Sequence, residues 1–283
     1  MQDAFVHCET LVREADKDRF LATLFAPAKY RRALFALYAF NAEIAQVRER
    51  AREPMAGEIR LQWWRDVFGD SGHGEVRAHP VASALLDTVV RFRLPPAAFA
   101  ELIEARSFDL YDDPMPTLAA LEGYARRTSS VLIELAALIL NEGKDPGISR
   151  LAGHAGVAYA IAGLLSAFPI HASRRQLYVP LEVLDRHGAR PEDAFAGQVT
   201  PALRAALAEM RLHARAQLGQ AKPLLGAMPE AVAPAVLLAA LVRPVLGRME
   251  RRGYHPFKLD TLPQWRRQWT LWRAARQPLR IAG

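Results

Sequence analysis

A chain of 283 residues with 51% apolar and 24% charged residues has an ordinary globular balance, enough for two average domains or one large helical one. Its single cysteine, Cys8, excludes an intramolecular disulfide and any cysteine-rich metal site. The net charge of +7 is unevenly placed: residues 243–283 carry ten Lys or Arg against two acids, which marks the tail as the part that seeks an anionic partner.

The first residues, MQDAFVHCETLVREADKDRF, have neither the apolar core of a signal peptide nor the acid-poor composition of a transit peptide. Helical periodicity then runs the length of the chain, with no convincing alternation of period two. A capped helix is predicted over 16–25, ended by Pro27, and a long one over 29–52 with Ala33, Leu34, Leu37, Phe40, Ile44 and Val47 on its apolar face. A helix over 58–68 carries Trp63 and Trp64, and Gly69 to Gly74 reads as a loop. Further helices are expected over 80–92 and from Pro95-Pro96 to about Tyr111, where Asp112-Asp113-Pro114 closes the turn. The acidic cluster Asp109, Asp112, Asp113 reads as a turn cap or as a metal site. Thr117 opens a helix predicted to continue to Leu140.

From Arg150 to Arg174 no charged side chain intervenes, and Gly153, Ala155, Gly156, Ala160, Ala162 and Gly163 recur almost every turn. A helix apolar all round is buried in protein or in lipid. Residues 151–170 are the stretch with the length to span a bilayer, and their Gly/Ala content, His154 and Pro169 favour a buried helix that Pro169 ends. A basic turn follows, His171-Ala-Ser-Arg174-Arg175. It reads either as the rim of a site for an apolar chain with an anionic head or as an ordinary turn at the surface. After a short helix from Pro180 to His187 comes a polar loop to Gly197, then helices over 201–225 and 229–253, with Pro234 and Pro244 as candidate kinks. The chain reads as one all-α domain over 1–260 and a basic, Trp-rich segment over 261–283. In that segment Trp265, Trp269 and Trp272 share a helix face among Arg266, Arg267, Arg273 and Arg276. The stripe either packs on the body or contacts a membrane or partner. No nucleic-acid module is readable.

Tyr30-Arg-Arg-Ala-Leu-Phe-Ala-Leu-Tyr-Ala-Phe40 resembles the first block of squalene and phytoene synthases, and Gly156-x-Ala158 with Arg174-x-x-x-Tyr178-x-Pro180 resembles the second. Asp109-Leu110, Pro116-Thr117-Leu118 and Tyr124 resemble the region between. The resemblance implies a single isoprenoid-synthase-type helical bundle around a central apolar cavity. In that family DDxxD and DxxxD motifs bind Mg²⁺-diphosphate. Set on this chain without gaps, they fall on Ala45, Gln46 and Glu49, and on Ala167 and His171; no Asp lies anywhere between Asp18 and Asp66 or between Asp145 and Asp185. The family's Mg²⁺ site is therefore expected to be lost, and the chain is expected to be catalytically degenerate, with no cofactor.

Ala39-Phe-Asn-Ala-Glu-Ile-Ala-Gln-Val47, Arg60-x-Gln62-x-Trp64 and Pro169-Ile-His-Ala-Ser-Arg-Arg-Gln-Leu-Tyr-Val-Pro180 look like the branch of the family that assembles respiratory complex I. That resemblance implies complex I subunits or assembly intermediates as partners, a prenyl or quinone-like lipid as ligand, and an anionic membrane surface as a contact. With no targeting segment read at its start and with Arg/Ala/Pro-rich usage, the chain is expected to be a bacterial member in the cytoplasm, peripheral on the inner membrane. Tyr38, Asn41, Gln62, Arg174, Arg175 and Tyr178 are its candidate ligand-binding residues. Two other functions stay open: a prenyl transferase acting on prenyl diphosphates, and a prenyl-lipid carrier.

Overall fold

A computed structural model describes residues 2–51, 53–69 and 76–282; the expected loop lies, from Asp70 on, outside the described residues. Helix accounts for 77% of the structure, and no strand occurs among the described residues. The chain forms two compact units, each assembled from separated segments: Met1–Leu110, Val131–Ile148 and Met228–Leu237 in the first, Tyr111–Ser130, Ser149–Ala227 and Leu238–Gly283 in the second.

The first unit is built on the helix Ala28–Ala45. Its residues from Ala33 to Ala42 are all buried, because the helices Gln2–Ala15 and Pro80–Phe92 cover it and Val131–Leu140 packs against it as well. Phe40 is fully enclosed, edge-on to Trp64 at 4.8 Å and to Phe99 at 5.6 Å; such aromatic pairs add to the energy of burial itself. The predicted 29–52 helix is interrupted at Gln46 and resumes as Val47–Arg50. The capped helix expected from Asp16 is Lys17–Thr23, with the Asp16 carboxylate accepting from the Arg19 N–H. Before it lies a helix the sequence reading did not predict, Gln2–Ala15. Its Cys8 and Val12 are buried one turn apart, a stripe obscured by the charges around it.

The second unit centres on the helix Ser149–Ser166, which lies along Pro201–Ala221 and is crossed by Arg126–Ser130. The helix predicted over 117–140 is in fact three pieces: Leu118–Ala125, a π-helical turn Arg126–Ser130, and Val131–Leu140. In the turn the Thr128 hydroxyl donates to the Tyr124 carbonyl and the Ser130 hydroxyl to that of Gly153, 3.1 Å away. Hydroxyl side chains that bond to backbone compete with a regular ladder, and an inserted π turn is the outcome. Glycine at 156 is what lets this turn come close. A Cβ there would stand 2.5 Å from the Ser130 Cα and 2.6 Å from its N, both backbone atoms that cannot step aside.

Pro169 does not end the Ser149–Ser166 helix. It sits in the first turn of a further one, Phe168–Ser173, where a missing N–H costs nothing. The expected loop to Gly197 contains the helix Pro191–Phe195, with Pro191 at its start and the Asp193 carboxylate accepting from the Arg190 N–H. The 229–253 helix is a succession of short 3₁₀ and α turns, with Pro234 and Pro244 in first turns. The described helical stretch long and apolar enough to cross a bilayer is Glu230–Met249, not 151–170; its mean hydropathy is 1.6 and 61% of it is buried.

The glycines of Ser149–Ser166 therefore divide by role. Gly156→Ala is expected to lower stability by about 1–3 kcal/mol through overpacking against fixed backbone. Gly163→Ala, with no atom within 4 Å of its Cβ, is expected to leave stability unchanged or raise it by about 0.5–1 kcal/mol. Urea unfolding of the two variants checks the pair, and equal effects would contradict the contact.

Candidate functional site

In the first unit, the positions aligned with DDxxD lie at the end of Ala28–Ala45 and in Val47–Arg50. Ala45 is half-buried and carries no donor, Gln46 accepts from the Arg50 guanidinium at 2.9 Å, and Glu49 is exposed. Arg48 donates to the Asp109 backbone carbonyl at 3.0 Å. Asp109 is itself buried and held by Arg106 at 3.0 Å, while Asp112 and Asp113 are exposed.

One acid of this helix points inward. Glu43 is 12% exposed, and its Oε2 lies 3.7 Å from His79 Nε2. Burial pushes its carboxyl up to about 7, against the pull of Arg50 and Arg60. Burial, then His7, holds the His79 imidazole below its ordinary value. His79 also caps its helix, Nδ1 accepting from the Ala82 N–H at 3.4 Å, and its ring lies 4.9 Å from Trp63. The buried Cys8 thiol completes the group, pushed up to about 12 by its burial and by the charge of Glu43. Glu43 stands six residues from Glu49, a spacing that does not place the two on one helix face. Its partner His79 is remote in sequence, and no local pattern announces the pair.

Among the expected ligand contacts, Tyr38 and Asn41 stand one turn apart and are both buried. The Tyr38 hydroxyl is pushed up to about 12 by burial, with Arg19 opposing from 5.7 Å above the ring. Asn41 Oδ1 has no hydrogen-bond partner among the described residues. Gln62 is exposed and bonded to Asp66 at 2.8 Å and to Arg65, so it does not join the other two.

In the second unit, Ala167 precedes the Phe168–Ser173 helix and His171 lies within it, its ring 4.7 Å from that of Tyr178. Tyr178 is buried, whereas Arg174 and Arg175 are exposed at the helix end. Arg175 takes the left-handed conformation (φ 58°) and lays its guanidinium 4.9 Å from the Phe195 ring. His171 and Tyr178 line an apolar pocket with Leu121, Ile161, Leu165, Phe168 and Met210. Its free volume is about 10 Å³, roughly one water. Nearby, Glu122 accepts from His213 at 2.8 Å and from Gln217 at 2.7 Å, and Gln217 accepts in turn from His154 Nδ1 at 2.7 Å. That chain ties three helices together, and its members are too scattered in sequence to have been foreseen. Trp265, Trp269 and Trp272 are exposed on Gln264–Arg276.

The aligned positions offer one exposed carboxylate, an amide and an imidazole, and no group of three or more His, Cys, Asp or Glu among the described residues is arranged for a metal.

The fold is the all-α isoprenoid-synthase type. The squalene synthase HpnC from Alicyclobacillus acidocaldarius superposes with a TM-score of 0.77 over 90% of this chain and 96% of that one, at 24% identity. The squalene/phytoene synthase family model matches residues 12–273, and the chain belongs to that family. Within it, the chain is 31% identical to the rat protein named NADH dehydrogenase (ubiquinone) complex I, assembly factor 6, over 90% of this chain and 76% of that one. The human protein of the same name is 30% identical over 89% of this chain and 75% of its own.

The buried Glu43 makes a pH test. Its folded pKa is raised above the unfolded value, so its contribution to stability is fully present below the unfolded value of 4.5 and is lost as pH rises through about 7. Glu43→Gln is therefore expected to be near neutral at the acid end and to stabilise by about 3 kcal/mol above the folded pKa. Urea unfolding of both proteins across that window checks it; a difference independent of pH would contradict the burial.

Proposed function

We propose that this chain is a non-catalytic squalene/phytoene-synthase-like protein that assists assembly of the membrane-bound respiratory complex I. The observation that carries the reading is the match along nearly the whole chain to proteins named for that role, combined with the chemistry of the aligned positions. An allylic diphosphate ionises only when charge developing on its leaving group is neutralised, and metal ions supply much of that neutralisation. Removing one such group typically costs about 3–4 kcal/mol. Here Ala45, Gln46, Ala167 and His171 stand where the resemblance places four aspartates, and Glu43, on the same helix as Ala45, holds its proton to about pH 7 beside arginines. A group in that state is a poor magnesium ligand.

A prenyl-lipid ligand is the second reading, favoured by the apolar lining around His171 and Tyr178. The pocket's size means that an isoprenoid enters it only if the lining side chains move, so the assembly reading does not depend on it.

Deletion of the gene in its own host tests the proposal. Assembled complex I and NADH:quinone activity are expected to fall and to be restored by the wild-type gene, with prenyl-lipid content unchanged. Normal complex I in the deletion strain, or loss of a prenyl lipid instead, would overturn it.

A further inference from the structure

The helix Gln264–Arg276 is held to its unit by one face and leaves the other uncovered. Leu271 and Ala274 are buried, and Leu262, Ile281 and Ala282 on either side of the helix are buried too. At about 100° per residue, Trp265, Trp269 and Trp272 occupy an arc of roughly 60° on the far side. They are 61%, 55% and 38% exposed, and Leu279 beyond the helix is 65% exposed. Three indoles on one arc are a larger apolar outlay in water than scattered surface side chains, and such patches mark contact sites.

The patch is furnished for an anion at its edge. Arg266 lies 5.1 Å from the Trp265 ring and Arg276 4.5 Å from that of Trp272, which stacks on Trp269 at 5.0 Å. Beside the stripe is a cleft of about 340 Å³ lined by Ala240, Trp269, Thr270, Arg273, Ala274 and Arg280. Two guanidinium groups face this space, and no acid is among its lining residues. Residues 261–283 hold five arginines and no Asp or Glu, and the acid just before them, Asp260, is paired with Arg248.

We propose that this face docks on an anionic phospholipid bilayer, with the three indoles at the interface and a lipid phosphate in the cleft between Arg273 and Arg280. The chemistry selects this occupant. Indoles settle at the boundary between headgroups and acyl chains, and arginines beside them meet the phosphates. A nucleic acid would satisfy the arginines and leave the indoles and Leu279 unaccounted for. The inference rests on this surface alone and does not require the assembly reading.

Flotation of the full-length protein with vesicles tests it. Binding is expected to vesicles of phosphatidylcholine mixed with phosphatidylglycerol, to be weak on phosphatidylcholine alone, and to shift tryptophan emission to the blue. The double variant Trp265→Ser/Trp269→Ser is expected to lose about tenfold or more in affinity, and each arginine removed in Arg273→Gln/Arg280→Gln about fivefold. All four side chains are exposed, so circular dichroism and Tm should match the wild type. Inorganic phosphate at constant ionic strength should not displace the protein; if it does, the cleft is a free-phosphate site and the bilayer proposal fails. Equal binding to neutral vesicles, unchanged binding of either variant, or binding to duplex DNA without binding to vesicles would also overturn it.

Discussion

The second unit depends on how closely the Arg126–Ser130 turn approaches the helix Ser149–Ser166. With glycine at 156 the two backbones meet almost directly, and the Ser130 hydroxyl reaches the Gly153 carbonyl across the contact. Any larger residue would push them apart. The approach explains the glycine at 156. It also explains the break in the 118–140 region, because a π turn brings Thr128, Ser129 and Ser130 inward together. The polar chain Glu122–Gln217–His154 fastens the same helices at their edge.

The first unit repeats the theme with larger side chains. Ala28–Ala45 is enclosed on nearly every side, and its polar members inherit that enclosure. Tyr38, Asn41 and Glu43 are held away from water, so the hydroxyl keeps its proton, the amide oxygen goes without a partner among the described residues and the carboxyl binds a proton to about pH 7. Outside this enclosed stretch, Arg48 and Arg50 flank Glu49 in the short helix Val47–Arg50.

Much of this was legible from the sequence. Unbroken 3.6-residue periodicity gave the all-α class, and prolines and cap residues located most helix starts, Asp16 and Thr117 among them. The family followed from several blocks rather than one motif. What the sequence hid has physical reasons. The helix Gln2–Ala15 buries a narrow stripe beneath many charges, and Pro191–Phe195 is too short to show a period. The π turn arises from hydroxyl-to-backbone bonds formed across a tertiary contact. The pairing of Glu43 with His79 joins helices distant in sequence, as does Glu122 with His213. For Trp265, Trp269 and Trp272 the sequence supplied the shared face, but only the coordinates reveal that Leu271 and Ala274 anchor the helix from behind and turn the indoles outward.

On the proposed non-catalytic reading, Ala45, Gln46, Glu49, Ala167 and His171 offer too few oxygen ligands for magnesium. The most direct measurement is release of diphosphate from farnesyl or geranylgeranyl diphosphate by the purified protein with Mg²⁺. The account predicts release no faster than in the protein-free control. Sustained, enzyme-dependent turnover would contradict it.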